Sequence, residues 1–306
     1  MSEKNTTSEK KDTSNTMSCC ASCGKVEGDD IQLRTCTACK SVRYCGVACQ
    51  RNHRSQHKKA CKKRAAELRD EILFKQPESS HMGDCPICLL PLPLDEDKYS
   101  FHACCSKQVC IGCIFANTKH RVRERLEHSC PFCRADLGGD QIQKMMKRAQ
   151  ANDPSALCYM GGQRHNEGKF VEAFDYYSKA AELGDANAHF NLSLMYKDGQ
   201  GVEKDEKKEV YHLEEAAIRG HPDARSFLAR YLVMKGRFDR AMKHFIIASN
   251  LGSVPAMGAL KASYQDGSIS KDDFASALRA HHAAIDAMKS PQRDEAAEAF
   301  EAARMK

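Results

Sequence analysis

Cysteine is the residue type that most constrains this chain. Of its seventeen cysteines, sixteen lie between Cys19 and Cys133, and most of them stand in pairs separated by two or three residues. In a reducing compartment, cysteines at these spacings indicate metal ligands rather than disulfides. The segment between these two cysteines is therefore expected to fold around metal ions.

The length of 306 residues predicts two or three folded units. No apolar run approaches the roughly 18 residues that a membrane-spanning helix needs, and the start MSEKNTTSEKKDTSNT lacks the apolar core of a signal peptide. We therefore expect a soluble intracellular protein, cytoplasmic or nuclear or both, with no membrane partner.

The formal charge of +6 is modest for this length. The basic run RNHRSQHKKACKKR at 51–64 is threaded through the cysteine and histidine pairs instead of forming a separate patch. A nucleic-acid footprint normally needs a clearer excess of positive charge on one face. Nucleic acid is therefore not the expected partner.

Composition divides the chain into segments. Residues 1–17 are almost entirely polar and are predicted to be a disordered tail, since they cannot offset the entropy of ordering. A first cysteine module is predicted at 18–61, a helix and linker at 62–84, and a second cysteine module at 85–137. Within 62–84, the residues 62–76 are expected to form a short amphipathic helix before Pro77.

The first module contains four ligand pairs at short spacings. They are Cys20 and Cys23, Cys36 and Cys39, Cys45 and Cys49, and His57 and Cys61. Eight such ligands suit two tetrahedral zinc ions, and sites filled entirely by protein ligands are structural. His53 is interpreted as a solvated helix residue, and Cys19 as a less suitable substitute for Cys20 because only Cys20 keeps the two-residue spacing to Cys23.

This module resembles a MYND finger in its Tyr44-Cys45 pair, in Gln50 and in its HKxxC ending. The resemblance implies interleaved pairs, with one zinc ion held by Cys20, Cys23, Cys45 and Cys49 and the other by Cys36, Cys39, His57 and Cys61. It also implies docking of short proline-containing peptides, partly on a tryptophan. Arg54 stands at that position and the chain has no tryptophan, which weakens this expectation.

The second module contains three CxxC pairs, namely Cys85 and Cys88, Cys110 and Cys113, and Cys130 and Cys133. It resembles a RING finger, whose third and fourth ligands usually read C-x-H-x2-C. Cys105 takes the third place, but Lys107 stands at the fourth. Lysine is a poor ligand, because its ammonium group has no free lone pair and deprotonating it near neutral pH costs about 4–5 kcal/mol.

Two neighbours of Cys105 could replace the missing histidine. Cys104 offers a second thiolate, and His102 forms an H-x2-C pair with Cys105. Cys104 is favoured by a small margin, and both alternatives stay open. Up to four structural zinc ions per chain are therefore predicted.

A RING finger is not itself a reactive centre, and no catalytic residue is predicted. The resemblance implies that Ile87, Pro131 and Arg134 contact a ubiquitin-conjugating enzyme and its ubiquitin. One interpretation is a RING-type E3 ubiquitin-protein ligase. The alternative is a non-catalytic adaptor, since no serine, histidine and acid constellation, phosphate-binding glycine loop or methyltransferase core accompanies the zinc modules.

The second half of the chain contains a repeat. Alanines recur at Ala156, Ala188, Ala224 and Ala256, in steps of 32, 36 and 32, and glycines recur at Gly184, Gly220 and Gly252. This period is typical of a solenoid of helical hairpins. Alanine lets neighbouring helices approach closely, and each glycine is expected to cap a helix in the left-handed conformation.

These units resemble Sel-one-like repeats, relatives of the tetratricopeptide repeat. The resemblance rests on the motif LxxxYxxGxGV (Leu192, Tyr196, Gly199, Gly201, Val202) and on AAxxG endings. It implies an α-solenoid at 141–288 that binds other proteins, followed by a C-terminal helix at 289–306. Candidate binding residues are Asn191, Tyr196, Arg230 and His244, whereas His281 and His282 are expected to be exposed.

The sequence thus predicts a mainly α fold. Two small zinc-stapled modules, one MYND-like and one a RING-like cross-brace, precede an α-solenoid. The MYND finger and the solenoid are expected to recruit proteins, and the RING-like module either binds a ubiquitin-conjugating enzyme or adds another protein contact.

Overall fold

The computed structural model describes residues 19–304, so the predicted tail at 1–17 lies outside the described residues. The chain divides into two compact units, Met1–Leu73 and Phe74–Lys306. In the part of the chain that the structure describes, no helix is both long enough and apolar enough to cross a membrane.

The first unit consists of a short hairpin and a long helix. Strand β1 (Arg34–Thr35) pairs antiparallel with β2 (Arg43–Tyr44), and helix α1 follows at Val47–Leu73. Its core contains Leu33, Tyr44 and three of the predicted zinc ligands, Cys20, Cys36 and Cys39.

Helix α1 is longer than the sequence reading suggested. A separate helix is predicted at 62–76, but residues 62–73 continue the helix that begins at Val47 and carries Cys49, His57 and Cys61. Neither glycine nor proline occurs between Val47 and Leu73, so nothing in this stretch interrupts the helical hydrogen bonding.

The second unit begins with the linker and a small hairpin module. We call residues 85–137 the RING-like module. It contains a short 3-10 turn (Glu96–Lys98), strands β3 (Tyr99–His102) and β4 (Lys107–Cys110), which pair antiparallel, and helix α2 (Ile111–Arg123). Its core consists of Leu92, Val109 and three cysteines, Cys85, Cys110 and Cys113.

Ten further helices follow in the described chain. They are α3 (Gln141–Gln150), α4 (Pro154–Asn166), α5 (Phe170–Glu182), α6 (Ala186–Asp198), α7 (Glu206–Ile218), α8 (Pro222–Met234), α9 (Phe238–Asn250), α10 (Val254–Gln265), α11 (Lys271–Ala287) and α12 (Pro291–Arg304). Short connections join α4 to α5, α6 to α7, α8 to α9 and α10 to α11 as four successive hairpins.

The repeat alanines and glycines lie where the sequence predicts. Ala156, Ala188, Ala224 and Ala256 are all completely buried. The predicted cap residues Gly184, Gly220 and Gly252 have φ values of +88°, +83° and +90°. At Gly220 a side chain is also excluded by space, since a Cβ would lie 2.7 Å from the carbonyl oxygen of Ser79.

Besides its own core, the RING-like module contributes residues to the hydrophobic core of the first solenoid helices. Ala103, in the turn between β3 and β4, belongs to the same buried cluster as Met145 of α3 and Leu157 of α4. Next to it, the ring of Phe101 stacks on Tyr159 with centroids 5.6 Å apart. The RING-like module therefore covers the apolar face that the first helices of the solenoid would otherwise expose.

The linker Phe74–Gly83 runs along the solenoid. The ring of Phe74 lies 4.8 Å from that of His244, and the backbone N–H of His81 donates to the carbonyl of Gly220. His244 is only 1% exposed, so its prediction as a client-binding residue is wrong. A client cannot reach this imidazole while the solenoid is folded.

One further histidine differs from expectation. His282 is exposed as predicted, but His281 is buried, and its Nδ1 lies 3.0 Å from the carbonyl oxygen of Ser249. The sequence shows two adjacent polar residues on a helix. Which of them faces α9 depends on how α11 packs, and that packing is not visible in the local pattern.

Candidate zinc centres and partner surfaces

Four CxxC segments form the same backbone turn. In Cys20–Gly24, Cys36–Lys40, Cys85–Leu89 and Cys130–Arg134, the fifth residue donates its N–H to the carbonyl of the first cysteine at 2.9–3.0 Å. The fifth residue has a positive φ in each case. Both cysteines of a pair are thereby brought to one side of the turn, which suits them to hold one metal ion.

The first MYND cluster joins a turn to the start of α1. The sulfur of Cys23 lies 3.6 Å from that of Cys45, and Cys45 lies 3.5 Å from Cys49. With Cys20, all four ligand atoms lie within 4.8 Å of one another. Burial opposes ionisation of Cys20, but hydrogen bonds from the backbone of Cys45 and Cys23 outweigh it and lower the pKa of Cys20 to about 6, whereas the side-chain hydrogen bond with Cys49 raises the pKa of Cys45 to about 12. Within this cluster, Cys20 therefore ionises more readily than Cys45.

The second MYND cluster uses one face of α1. The sulfur of Cys36 lies 3.8 Å from that of Cys61, and Cys39 lies 3.3 Å from Nε2 of His57. His57 and Cys61 are four residues apart, so they lie on the same side of the helix. The interleaved pairing implied by the sequence is the one that the geometry brings together.

Two neighbouring side chains do not join these clusters. Cys19 is outside both groups of ligand atoms. Nδ1 of His53 forms a hydrogen bond of 3.1 Å with the hydroxyl of Tyr44, and the His53 ring stacks on that of His57 with centroids 5.7 Å apart. His53 therefore supports a ligand by packing, a role that differs from the solvated residue predicted.

A cavity of about 520 Å³ lies beside the second MYND cluster. Four basic residues of α1 line it, namely Arg51, Arg54, Lys58 and Lys62, together with Tyr44, Val47 and Gln50. No acidic residue lines the cavity, and within the described residues none of these four cations forms an ion pair. Farther along the helix, Arg64 is paired with Glu67 and Glu71. Arg54, at the place of the missing tryptophan, thus belongs to an unpaired basic surface.

The first cluster of the RING-like module is the more deeply buried one. The sulfur of Cys85 lies 3.9 Å from that of Cys113, and Cys88 lies 3.8 Å from Cys110. Cys85 and Cys110 are completely buried. All four sulfur atoms lie within 4.8 Å of one another, which suits a tetrahedral zinc ion.

The second cluster answers the question raised by Lys107. The turn between β3 and β4 directs the sulfur of Cys104 to 3.4 Å from Cys133 and that of Cys105 to 3.9 Å from Cys130. These four sulfurs also lie within 4.8 Å of one another. Lys107 is exposed at the start of β4. His102 lies outside the group, and burial lowers its pKa. The geometry therefore favours Cys104 over His102 as the fourth ligand.

The residues predicted to contact a ubiquitin-conjugating enzyme are only partly brought together. Ile87 and Pro131 line one cavity of about 380 Å³ with Ala116 and Asn117 of α2. Arg134 is exposed but is not among the lining residues. Gln292, at the start of α12, completes the lining. No sequence pattern indicates this contribution, because Gln292 lies more than 150 residues from both loops.

The fold and the four clusters define a class: a zinc-finger protein with a solenoid of helical repeats. Comparison with family models agrees with this class. Residues 20–61 match the MYND finger, and residues 154–185 and 186–221 match the Sel1 repeat. The chain therefore contains a MYND finger and Sel1 repeats, and its clusters fit structural zinc.

Relatives match the repeat portion over limited lengths. HcpC of Helicobacter pylori strain J99 is 39% identical over 56 residues, which cover 18% of this chain and 19% of HcpC. A protein of Neisseria meningitidis serogroup B named as uncharacterized is 34% identical over 114 residues, covering 37% of this chain and 24% of its own. This chain thus spans about a fifth to a quarter of the length of these relatives.

Among solved structures, a Sel1 repeat protein from Oxalobacter formigenes is 31% identical with a TM-score of 0.42, covering 48% of this chain and 64% of its own. MYND fingers and Sel1 repeats typically mediate contacts between proteins. The two domain matches therefore support a zinc-binding scaffold for protein interaction.

Proposed function

We propose that this protein is a ubiquitin ligase of the RING type, in which the MYND finger and the solenoid recruit the protein to be modified. The observation that carries the proposal is the cavity formed by Ile87, Pro131 and helix α2. It lies between the first and last cysteine turns, where the RING resemblance implies a ubiquitin-conjugating enzyme. Two of the four structural zinc ions would hold these turns in place, one in each cluster of the RING-like module.

The proposed chemistry belongs to the conjugating enzyme, which carries ubiquitin on its own cysteine. The RING-like module would supply apolar contacts through Ile87, which is 41% exposed, and a cation through Arg134. Holding the reactants in one geometry removes part of the entropic barrier to transfer. No nucleophile from this chain is required.

The test is self-ubiquitination in vitro with a panel of conjugating enzymes. We expect the wild-type chain to form ubiquitin chains with at least one enzyme, and Ile87→Ala and Arg134→Ala to reduce the rate at least tenfold. Val122→Ala is the matched control, since Val122 is an exposed apolar residue of α2 that does not line the cavity. No product with any enzyme, under conditions in which zinc is retained, would refute ligase activity.

A non-catalytic adaptor is the second candidate function. The observation that favours it is Gln292 of α12, which lines the same cavity as Ile87 and Pro131 and so takes up part of the surface that a conjugating enzyme would contact. In an adaptor, the cavity lined by Ile87, Pro131 and Gln292 would bind a protein other than a conjugating enzyme, or no protein. Binding of conjugating enzymes, followed by NMR titration or pull-down, separates the two functions: a ligase binds at least one member of the panel, and an adaptor binds none.

The basic cavity of the MYND finger suggests what kind of peptide it recruits. Lining cations spaced along one helix face repel one another by a few tenths of a kcal/mol per pair, so an acidic partner would relieve this repulsion. We therefore propose peptides that carry acidic residues beside their apolar ones. Fluorescence anisotropy with acidic and neutral versions of one peptide tests this, and equal affinities would count against it.

A further inference from the structure

Arg293 connects the C-terminal helix to the first zinc cluster of the RING-like module. The residue lies in the first turn of α12, and only 7% of it is exposed. Its Nη1 donates to the carbonyl oxygens of Pro91 (2.8 Å) and Met288 (2.6 Å), and its Nη2 donates to the carbonyl of Leu90 (3.3 Å). Nη2 also lies 3.4 Å from the sulfur of Cys88, itself one of the four ligands of the cluster.

Gly112 of α2 faces Arg293 and allows α12 to pack closely against α2. Gly112 is buried between two ligands, Cys110 and Cys113, at the start of α2. A Cβ at Gly112 would lie 2.9 Å from Cγ of Arg293 and 3.0 Å from its Cα. Only glycine lets the α12 backbone come near enough for the guanidinium to reach Cys88.

Charge explains why an arginine is useful at this place. Four thiolates around one Zn²⁺ carry a net charge of −2, and burying an uncompensated charge is costly. In this cluster Cys85 and Cys110 are fully buried, whereas the other two all-cysteine clusters each include an exposed ligand, Cys23 or Cys133. A guanidinium beside Cys88 offsets part of the charge where water is least able to do so.

The hydrogen bonds from Arg293 to the carbonyls of Leu90 and Pro91 hold the loop that contains Cys88. Leu90 and Pro91 follow the cysteine turn Cys85–Leu89, and the N–H of Cys85 donates to the carbonyl of Leu90. Arg293 therefore holds both the sulfur of Cys88 and the backbone that closes this turn. Residues that hydrogen-bond to metal ligands without binding the metal themselves orient those ligands and raise the affinity of the site for its metal.

We propose that Arg293 is a positioning residue of the zinc site formed by Cys85, Cys88, Cys110 and Cys113, and that docking of α12 through this arginine sets how tightly the site retains zinc. Helix α12 also makes an ion pair of 2.7 Å between Glu295 and Lys119, and its Phe300 ring lies 6.4 Å from that of Phe115, but the proposal assigns zinc retention to Arg293 and not to these two contacts. The proposal does not depend on ubiquitin transfer.

The test compares zinc retention among full-length variants. Zinc-loaded protein is challenged with a chelator, freed thiols are alkylated with N-ethylmaleimide, and peptide mass spectrometry follows each cysteine with time. Removing a residue that hydrogen-bonds to a metal ligand typically weakens metal binding by about 10- to 100-fold. We expect Arg293→Gln to accelerate alkylation of the four cysteines of this site by about that factor. Alkylation of Cys36 and Cys61 in the MYND finger should not change, which provides an internal reference.

Two variants distinguish the arginine from the helix that carries it. Arg293→Lys keeps the charge but not the planar fork, so zinc release should be intermediate. Gly112→Ala keeps the arginine but displaces it, and should behave as Arg293→Gln does.

Two control variants test whether loss of another α12 contact, or loss of any arginine, also accelerates zinc release. Phe300→Ala removes a ring contact and leaves Arg293 in place, and Arg279→Gln removes an exposed arginine of α11. Both should release zinc nearly as slowly as wild type. Equal acceleration in Phe300→Ala and Arg293→Gln, or no acceleration in Arg293→Gln and Gly112→Ala, would overturn the proposal.

Discussion

The sulfur atoms of Cys104 and Cys133 lie 3.4 Å apart, closer than the Cys105 and Cys130 sulfurs of the same cluster. We therefore expect Cys104→Ser to lower the zinc content from four ions per chain to three, because the cluster then keeps only three thiolates. Native mass spectrometry measures this count directly. His102→Asn and Lys107→Ala should both retain four ions, and a loss of zinc in His102→Asn alone would contradict the assignment.

Gly161 of α4 packs directly against Tyr177 of α5. A Cβ at Gly161 would lie 2.7 Å from the ring, whereas at Gly162 its nearest neighbour would be the Tyr177 hydroxyl at 3.6 Å. Alanine favours a helix over glycine by about 1 kcal/mol, but overpacking costs about 1–3 kcal/mol. We expect Gly161→Ala to lower the free energy of unfolding by up to about 2 kcal/mol and Gly162→Ala to preserve or raise it. Urea unfolding followed by circular dichroism measures both, and equal effects would contradict the packing argument.

Buried and partly buried histidines should make the second unit sensitive to acid. Burial lowers the pKa of His81 and His189 to about 4, and also that of His212 to about 4, while His221 shifts in the same direction. In the unfolded chain histidine titrates near pH 6.5, so between pH 6.5 and 4 the unfolded state binds more protons. Stability is then greatest above pH 6.5 and decreases as the pH falls toward 4.

Urea unfolding of the solenoid at pH 7.5, 6.0 and 5.0 tests this expectation. His212→Gln should reduce the loss of stability on acidification, because it removes one partly buried group that takes up a proton on unfolding. His282→Gln is the control, since His282 is exposed and should leave the pH dependence unchanged. Stability that is flat from pH 7.5 to 5.0 in the wild-type chain would refute the prediction.

Phe74 should anchor the linker to the solenoid. Its ring lies 4.8 Å from His244, and the guanidinium of Arg240 lies 4.8 Å from the ring centroid. Phe74→Ala removes these contacts, and we expect trypsin to cleave after Lys75 several times faster. Glu78→Ala, an exposed change in the same linker, should not alter the rate. Unchanged cleavage in Phe74→Ala would show that other contacts hold the linker.

Local patterns carried most of what could be predicted. Ligand spacings indicated which cysteines form local pairs, because the CxxC turn is complete within five residues, whereas the interleaving of those pairs was implied by the resemblance to known zinc fingers. The alanine period located the helix crossings, because each repeat packs mainly on its neighbours. The burial of His244 and His281 and the length of α1 were missed. The burial of the two histidines depends on which helix face packs against a segment distant in sequence. The length of α1 was missed because residues that form the zinc-ligand spacing also continue the helix.

The contribution of α12 to the RING-like module could not be predicted for the same reason. Arg293 and Cys88 are 205 residues apart, and the sequence around Arg293 resembles any exposed helix start. Charge and composition gave no indication that this arginine is buried. Only the chain path that returns α12 to α2 brings the two residues together.

That chain path has a consequence for synthesis. The RING-like module ends near residue 137, yet Arg293 leaves the ribosome 156 residues later, which takes roughly 8–30 s at about 5–20 residues per second. During this interval the newly made cysteines must hold zinc without the guanidinium beside Cys88. Zinc supply and the pace of translation would then act together at this step, and a nascent chain stalled before residue 293 would be the form most easily stripped of its metal.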